Sequence, residues 1–322
     1  MSKKVICLAL CPLLFALSFP VEAQQPKKVP RIGVISGGDR LQAFRQGLRD
    51  LGYTEEKNII IEHRHHQGRL DLIPTLVSEL IQLNVDALVV EPQPAIRTAK
   101  KATKTIPVIM VSSTDPVVAG HVDSLARPGG NVTGLSYLSR DLSAKRVELL
   151  KEVLPNMRRL AVLWDTQGPG PKVAFKEYEA AARAFKLDFQ SLGVSGPNPG
   201  LERAFQEAKN ARRDALIIVS NPLIGFHQGR VHKLATMDRL PSMYEYKQYV
   251  ESGGLLSYGA NPSDLFHRAA YYVDRVLKGT KPADLPVEQP MKFELVINLK
   301  TAKQIGLTIP PNVLARANKV IR

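Results

Sequence analysis

Cysteine is almost missing from this 322-residue chain: Cys7 and Cys11 are the only two, and both fall in the first eleven residues. A thiolate zinc site, an iron–sulfur site and a cysteine nucleophile are therefore excluded from the body of the chain. The sequence also carries no Gly-x-Ser-x-Gly, no Gly-x-Gly-x-x-Gly, no Walker loop and no His-Glu-x-x-His. These absences argue against an enzyme and against a bound cofactor or metal. No stretch of apolar residues is long enough to span a bilayer, which takes ~20. Dense basic runs are lacking too, although the net charge is +14. Lys and Arg come as scattered pairs, such as Lys100-Lys101 and Arg212-Arg213, without the interleaved aromatics of a nucleic-acid binder.

What is present is the composition of an ordinary globular protein: 44% hydrophobic, 23% charged, with 22 glycines and 23 prolines spread along the chain. The length suits about two domains, and it can bury a core without disulfide or metal. The first residues read as an address. Lys3 and Lys4 precede an apolar run over 5–19, and Val21-Glu22-Ala23 offers small residues for a signal peptidase. Cleavage there makes Gln24 the mature N-terminus. Leu10 is bulky where a lipoprotein signal ending at Cys11 would need a small residue. Losing two Lys and one Glu with residues 1–23 takes the net charge from +14 to +13. The expectation is a soluble, exported, periplasmic monomer.

From residue 30 the pattern alternates strand and helix. Arg31-Ile32-Gly33-Val34-Ile35 predicts a strand, and Leu41, Phe44, Leu48 and Leu51 predict one face of a helix stopped by Gly52. Strands follow at 58–62, 86–90 and 108–111, with helices between them. The pattern restarts at Arg159, with strands at 159–165, 214–219 and 242–244. The fold class predicted is α/β: two doubly wound parallel-sheet lobes. A helix at 264–278 and a strand at 293–297 are left over, so the chain is expected to cross back. Residues 30–135 with 260–290 would form one lobe, and 136–255 with 291–322 the other. The glycine-rich stretches 129–134 and 253–259 are expected to be the hinge.

Ligands in such sheets sit beyond the carboxyl ends of the strands. Those ends hold Ser36-Gly37, then Glu91-Pro92-Gln93-Pro94-Ala95, Ser112, Asp115-Pro116, Asp165 and Ser220-Asn221-Pro222. A polar residue before proline predicts a helix N-terminus, whose free N–H groups suit a carboxylate. Asp115, Asp165 and Glu245 would face an amine. Trp164 and Tyr258 would supply aromatic surface. Tyr244 and Tyr246 should point away from Glu245 on an extended segment. His63, His65 and His66 read as a solvated strand end, since paired imidazoles without a carboxylate make a weak metal site.

Several stretches resemble one family. They are 106–108 with 114–117 and Leu125-Ala126-Arg127-Pro128-Gly129-Gly130-Asn131-Val132-Thr133-Gly134, then 253–259, then Lys281-Pro282-Ala283-Asp284-Leu285-Pro286 with 293–302. The chain is similar along its mature length to ABC transporter substrate-binding proteins of the type I periplasmic-binding fold, whose characterised relatives bind tryptophan or tyrosine. The resemblance implies a hinged receptor that closes on a small carboxylate-bearing ligand, such as an amino acid, and delivers it to an inner-membrane permease. The other role open to the same fold is an exported sensor subunit. Where the family usually places a small hydroxyl residue before Pro-Ala-Ala, this chain has Gln93 before Pro94-Ala95-Ile96.

Overall fold

The structure is a computed structural model that describes residues 28–37, 40–67, 69–112, 115–137, 142–167 and 169–322. The signal-peptide reading of 1–23 lies outside the described residues. The first sheet contains β1 (Arg31–Ile35), β2 (Ile60–Arg64), β3 (Ala87–Val90), β4 (Val108–Ser112) and β5 (Val132–Ser136). They are parallel throughout, in the order β2-β1-β3-β4-β5. Helices α1 (Arg40–Asp50), α2 (Ile73–Gln82) and α3 (Gln93–Ala102) connect them. Strands β3 and β4 are buried along their whole length, as befits a parallel sheet covered by helices on both faces.

The chain then passes to α4 (Ser143–Val153) and a second sheet. This holds β6 (Arg159–Asp165), β7 (Asp188–Val194), β8 (Ala215–Ile218), β9 (Ser242–Tyr244), β10 (Leu256–Gly259), β11 (Glu294–Asn298) and β12 (Lys319–Ile321). Helices α5 (Pro169–Ala184), α6 (Leu201–Asn210), α7 (Pro222–Phe226), α8 (Gln228–Met237) and α9 (Lys247–Glu251) serve it. The order is β12-β11-β10-β9-β8-β6-β7, parallel except where β11 runs against β10. Five of these strands, β7-β6-β8-β9-β10, repeat the winding of the first sheet, so the two lobes share one plan.

Three crossings join the lobes. The first runs from β5 to α4. The second leaves β10 for α10 (Pro262–Leu277), which packs on α1 and on β3, β4 and β5 of the first sheet. The third returns after Glu288, which bridges to Leu135 of β5, and enters β11. Helices α11 (Leu299–Gln304) and α12 (Pro311–Leu314) complete the second lobe. One buried cluster runs through the junction, from Ile32 and Phe44 by way of Tyr137 and Phe266 to Leu216 and Tyr244.

The glycine stretch at 129–134 is not a crossing. It shapes the loop into β5, and Gly134, at φ +130°, lies so close to β4 that a Cβ would run into the Met110 carbonyl. Its glycine serves close approach of two strands rather than hinge freedom. The stretch 253–259 builds β10 and reaches a crossing only at its last residue.

The α1–α10 contact ties the second crossing to the first lobe. Gly47 permits it, because a Cβ there would strike the His267 carbonyl and stand 2.9 Å from Ala270 Cβ. Gly47→Val should therefore lower unfolding free energy by about 1–3 kcal/mol in urea titration. Gln42→Val, on the exposed face of the same helix, should change it by less than about 0.5 kcal/mol. Equal effects of the two would contradict this packing.

Candidate functional site

A cavity of about 720 Å³ lies between the carboxyl ends of the two sheets. From the first lobe it is lined by Gly37, Arg40, His66, Glu91, Gln93, Pro94 and Tyr137, and from the second by Asp165, Ser220, Asn221, Phe226, Glu245, Tyr246 and Tyr249, among others. The strand ends place these groups. Glu91 is the first residue past β3, Asp165 the last of β6, and Glu245 the first past β9.

Three buried or nearly buried carboxylates thus meet at one cavity, and they differ in their partners. Glu91 is ion-paired with Arg40 and accepts hydrogen bonds from Tyr137 Oη at 3.3 Å and Gly37 N at 3.4 Å. Burial works against the charge of Arg40, but the Glu91 carboxylate more than offsets it and holds the guanidinium pKa above its ordinary value. Glu245 faces Arg146 at 3.4 Å, accepts from Tyr178 Oη at 3.1 Å and from Ser220 N at 3.0 Å. Asp165 is only 2% exposed and forms no ion pair among the described residues; its Oδ1 accepts from Gln167 N at 2.9 Å. Desolvation pushes its pKa up, and the Gln167 N–H and the Asn221 side chain offset this only in part.

Aromatic rings close the cavity across the lobes. Tyr137, just after β5, meets Tyr246 of the second lobe edge-on, with centroids 5.5 Å apart. Tyr249 stacks on Tyr244 at 5.4 Å, and burial raises its hydroxyl pKa to about 12.

Of the thirteen residues that sequence placed at the site, the cavity brings together Gly37, Gln93, Pro94, Asp165, Ser220, Asn221 and Glu245. The other six lie elsewhere. Ser36 is buried and its hydroxyl is 3.2 Å from His63 Nε2. Ala95 belongs to the core under the first sheet, and Ser112 is buried at the end of β4. Asp115 heads no helix: its Oδ1 accepts from the Val117 and Val118 N–H groups at 2.8 and 3.1 Å and caps a turn. Trp164 points away from the cleft, stacking on Phe175 at 4.4 Å and donating from Nε1 to Ser191 Oγ at 2.8 Å. Side chains alternate along a strand, so the burial of Asp165 in the cleft turns its neighbour to the opposite face. Tyr258 packs with Phe293 against the second lobe's own core.

The helix N-termini are also weaker anion sites than the prolines suggested. At α3 the Ala95 N–H is already bonded to the Pro92 carbonyl at 2.8 Å, and Pro94 has no N–H. At α7 the Asn221 side chain takes the Ile224 N–H. Tyr246 and Glu245 both line the cavity, because β9 ends at Tyr244 and strand alternation stops there. His66 is buried in the cavity wall rather than solvated. No group of three His, Cys, Asp or Glu among the described residues could hold a metal.

Sequence reasoning missed Arg40, Tyr137, Tyr249 and Phe226, and it passed over Glu91. A usable signal existed for Glu91, which follows β3 as Glu245 follows β9. Tyr137 directly follows β5, so the strand-end reasoning could have found it as well, whereas Arg40 opens α1 and carries no strand-end signal.

Two parallel lobes, three crossings and a cavity between the strand ends define a binding protein of the type I periplasmic-binding fold. The chain belongs to the ABC transporter substrate-binding protein family, whose model matches residues 35–321. It is 29% identical over 267 residues to the tyrosine-binding protein of Clostridioides difficile (strain R20291), covering 83% of this chain and 76% of that one. A Streptococcus pneumoniae domain solved in complex with L-Trp is 29% identical, with a TM-score of 0.83 over 91% of this chain and 99% of that chain. The ligand-free, open structure of a substrate-binding protein with adhesive properties from Clostridium difficile is 25% identical, with a TM-score of 0.66 over 91% and 99%. No helix among the described residues is long and apolar enough to cross a membrane.

The buried imidazoles generate a pH prediction. Burial pushes His66 and His121 each down to about 4, and depresses His63 and His232 as well. Below the unfolded value of about 6.5 the unfolded chain binds protons that the native chain refuses, so stability falls as pH drops from 6.5 toward 4. The His66→Gln/His121→Gln double variant should show a shallower loss of urea midpoint over that window. Parallel curves for parent and variant would contradict it.

Proposed function

We propose that this chain is the exported solute receptor of an ABC importer, and that its lobes close over a zwitterionic ligand with an aromatic or apolar side chain, such as an amino acid. The observation that carries this reading is Asp165: a buried carboxylate at the cavity wall that forms no ion pair among the described residues. An isolated charge in such a place is costly, and a ligand ammonium supplies the missing partner. Arg40 and the Gln93 side chain stand on the opposite wall, where a ligand carboxylate would find them. Tyr137, Tyr246, Tyr249 and Phe226 furnish an apolar enclosure.

Groups from both lobes line one cavity, so a ligand that touches both favours the closed arrangement over the open one. The difference between TM-scores of 0.83 to an L-Trp complex and 0.66 to an open, ligand-free structure, at similar identities, supports a closed arrangement here. Relatives that bind tyrosine or L-Trp make those the first ligands to try. The signal-like segment at 1–23 supports export to the periplasm, with delivery to a permease.

Calorimetry with L-tryptophan and L-tyrosine tests the reading. Loss of a charged hydrogen bond costs about 1.5–3 kcal/mol, so Asp165→Asn should weaken binding by about ten- to a hundred-fold while the melting temperature holds. Affinity should also fall as pH is lowered and Asp165 takes up a proton. Equal affinity in parent and variant would remove Asp165 from the ammonium role.

A further inference from the structure

Arg146 has no solvent exposure, and it sits in the first turn of α4, where the first crossing has just entered the second lobe. Its Nε donates to the Tyr258 carbonyl at 2.7 Å. Tyr258 is the penultimate residue of β10, immediately before the second crossing. From Nη1 Arg146 donates to Tyr178 Oη at 2.9 Å and reaches Glu245 Oε1 at 3.4 Å. Tyr178 Oη donates to the same oxygen, and the other Glu245 oxygen accepts the Ser220 N–H. The end of β10 also presses on this spot: a Cβ on Gly259 would run into the Glu245 carbonyl and stand 3.3 Å from Arg146 Nη2.

One buried guanidinium therefore holds two crossings and the cavity floor at once. Its rigid fork of donors can serve several acceptors in fixed directions, which a lysine ammonium on a flexible stem cannot. We infer that Arg146 is a positioning residue for lobe closure: it fastens Glu245 and Ser220, on the cavity floor, to the ends of both crossings, so that floor and hinge turn as one body. Glu245 then belongs to the hinge, its charge neutralised from behind, and is not the partner of a ligand amine. Where Arg146 is absent the floor and the crossings are free to tilt separately, and the angle between the lobes is no longer fixed. This goes beyond the ligand reading and does not depend on which solute binds.

The test is the inter-lobe distance distribution by pulsed electron spin resonance, recorded without added solute. Spin labels are placed at Lys101→Cys on α3 and Glu207→Cys on α6, both exposed, with Cys7 and Cys11 changed to serine. The variant is Arg146→Met combined with Glu245→Gln, which removes both charges so that neither is left buried alone. It should melt in one cooperative transition yet show a distribution at least twice as wide as the parent's. A purely structural role would lower the melting temperature and leave the width unchanged, and that result would overturn the inference. If the double variant does not fold, Tyr178→Phe decides: it keeps both charges, should widen the distribution by about half, and an unchanged width overturns the inference equally. A widened distribution in the double variant, with a parent that binds no amino acid, would sink the ligand reading alone.

Discussion

The chain must pass between two sheets three times, and everything at the cleft depends on that constraint. A single linker would leave two lobes free to take many orientations. Here α10 leaves the second sheet and lies across α1 of the first, and the segment after it bridges β5 before returning to β11. The buried cluster that runs through the junction makes these passages part of the core. Interiors packed to that density have few discrete arrangements rather than a continuous range, so the crossings restrict how the lobes can sit on one another. The winding of each sheet then aims its carboxyl strand ends at the other's, and the cavity forms where they meet.

The electrostatics of the cavity follow from that arrangement. One carboxylate from the first sheet and two from the second stand at strand ends, and the fold has supplied arginines for two of them. Arg40 answers Glu91 and Arg146 answers Glu245. Among the described residues Asp165 has backbone and amide partners and no ion pair, and its raised pKa records the cost of its burial. Paired groups hold the walls in place, and on the proposed reading Asp165 takes its positive charge from the solute.

The fold was largely legible in the sequence. Continuous apolar strands such as 87–90 and 108–111 can only be buried on both faces, and their alternation with amphipathic helices fixes a parallel winding. The restart at Arg159 showed the second lobe. The hinge was not legible, because the stretch 129–134 looks flexible in sequence but forms the loop into β5, where Gly134 is demanded by the close approach of β5 to β4. At the site, strand-end reasoning found Asp165, Ser220 and Glu245, since a strand's end is visible where its apolar run stops. It failed on Trp164, where strand alternation next to Asp165 sends the ring to the other face. It failed on Asp115 too, because a polar residue before proline caps a turn as readily as a helix. The pairing of Glu245 with Arg146, a residue 99 positions away, has no signature in local sequence at all.

The central claim is that the cavity holds a solute recognised through its ammonium and carboxylate groups. Mass spectrometry of the small molecules released on denaturing protein purified from its own host tests this most directly. The account predicts one dominant solute, close to equimolar with the protein, bearing both an amine and a carboxylate. A neutral sugar, a phosphate ester or any other solute without an amine would contradict it.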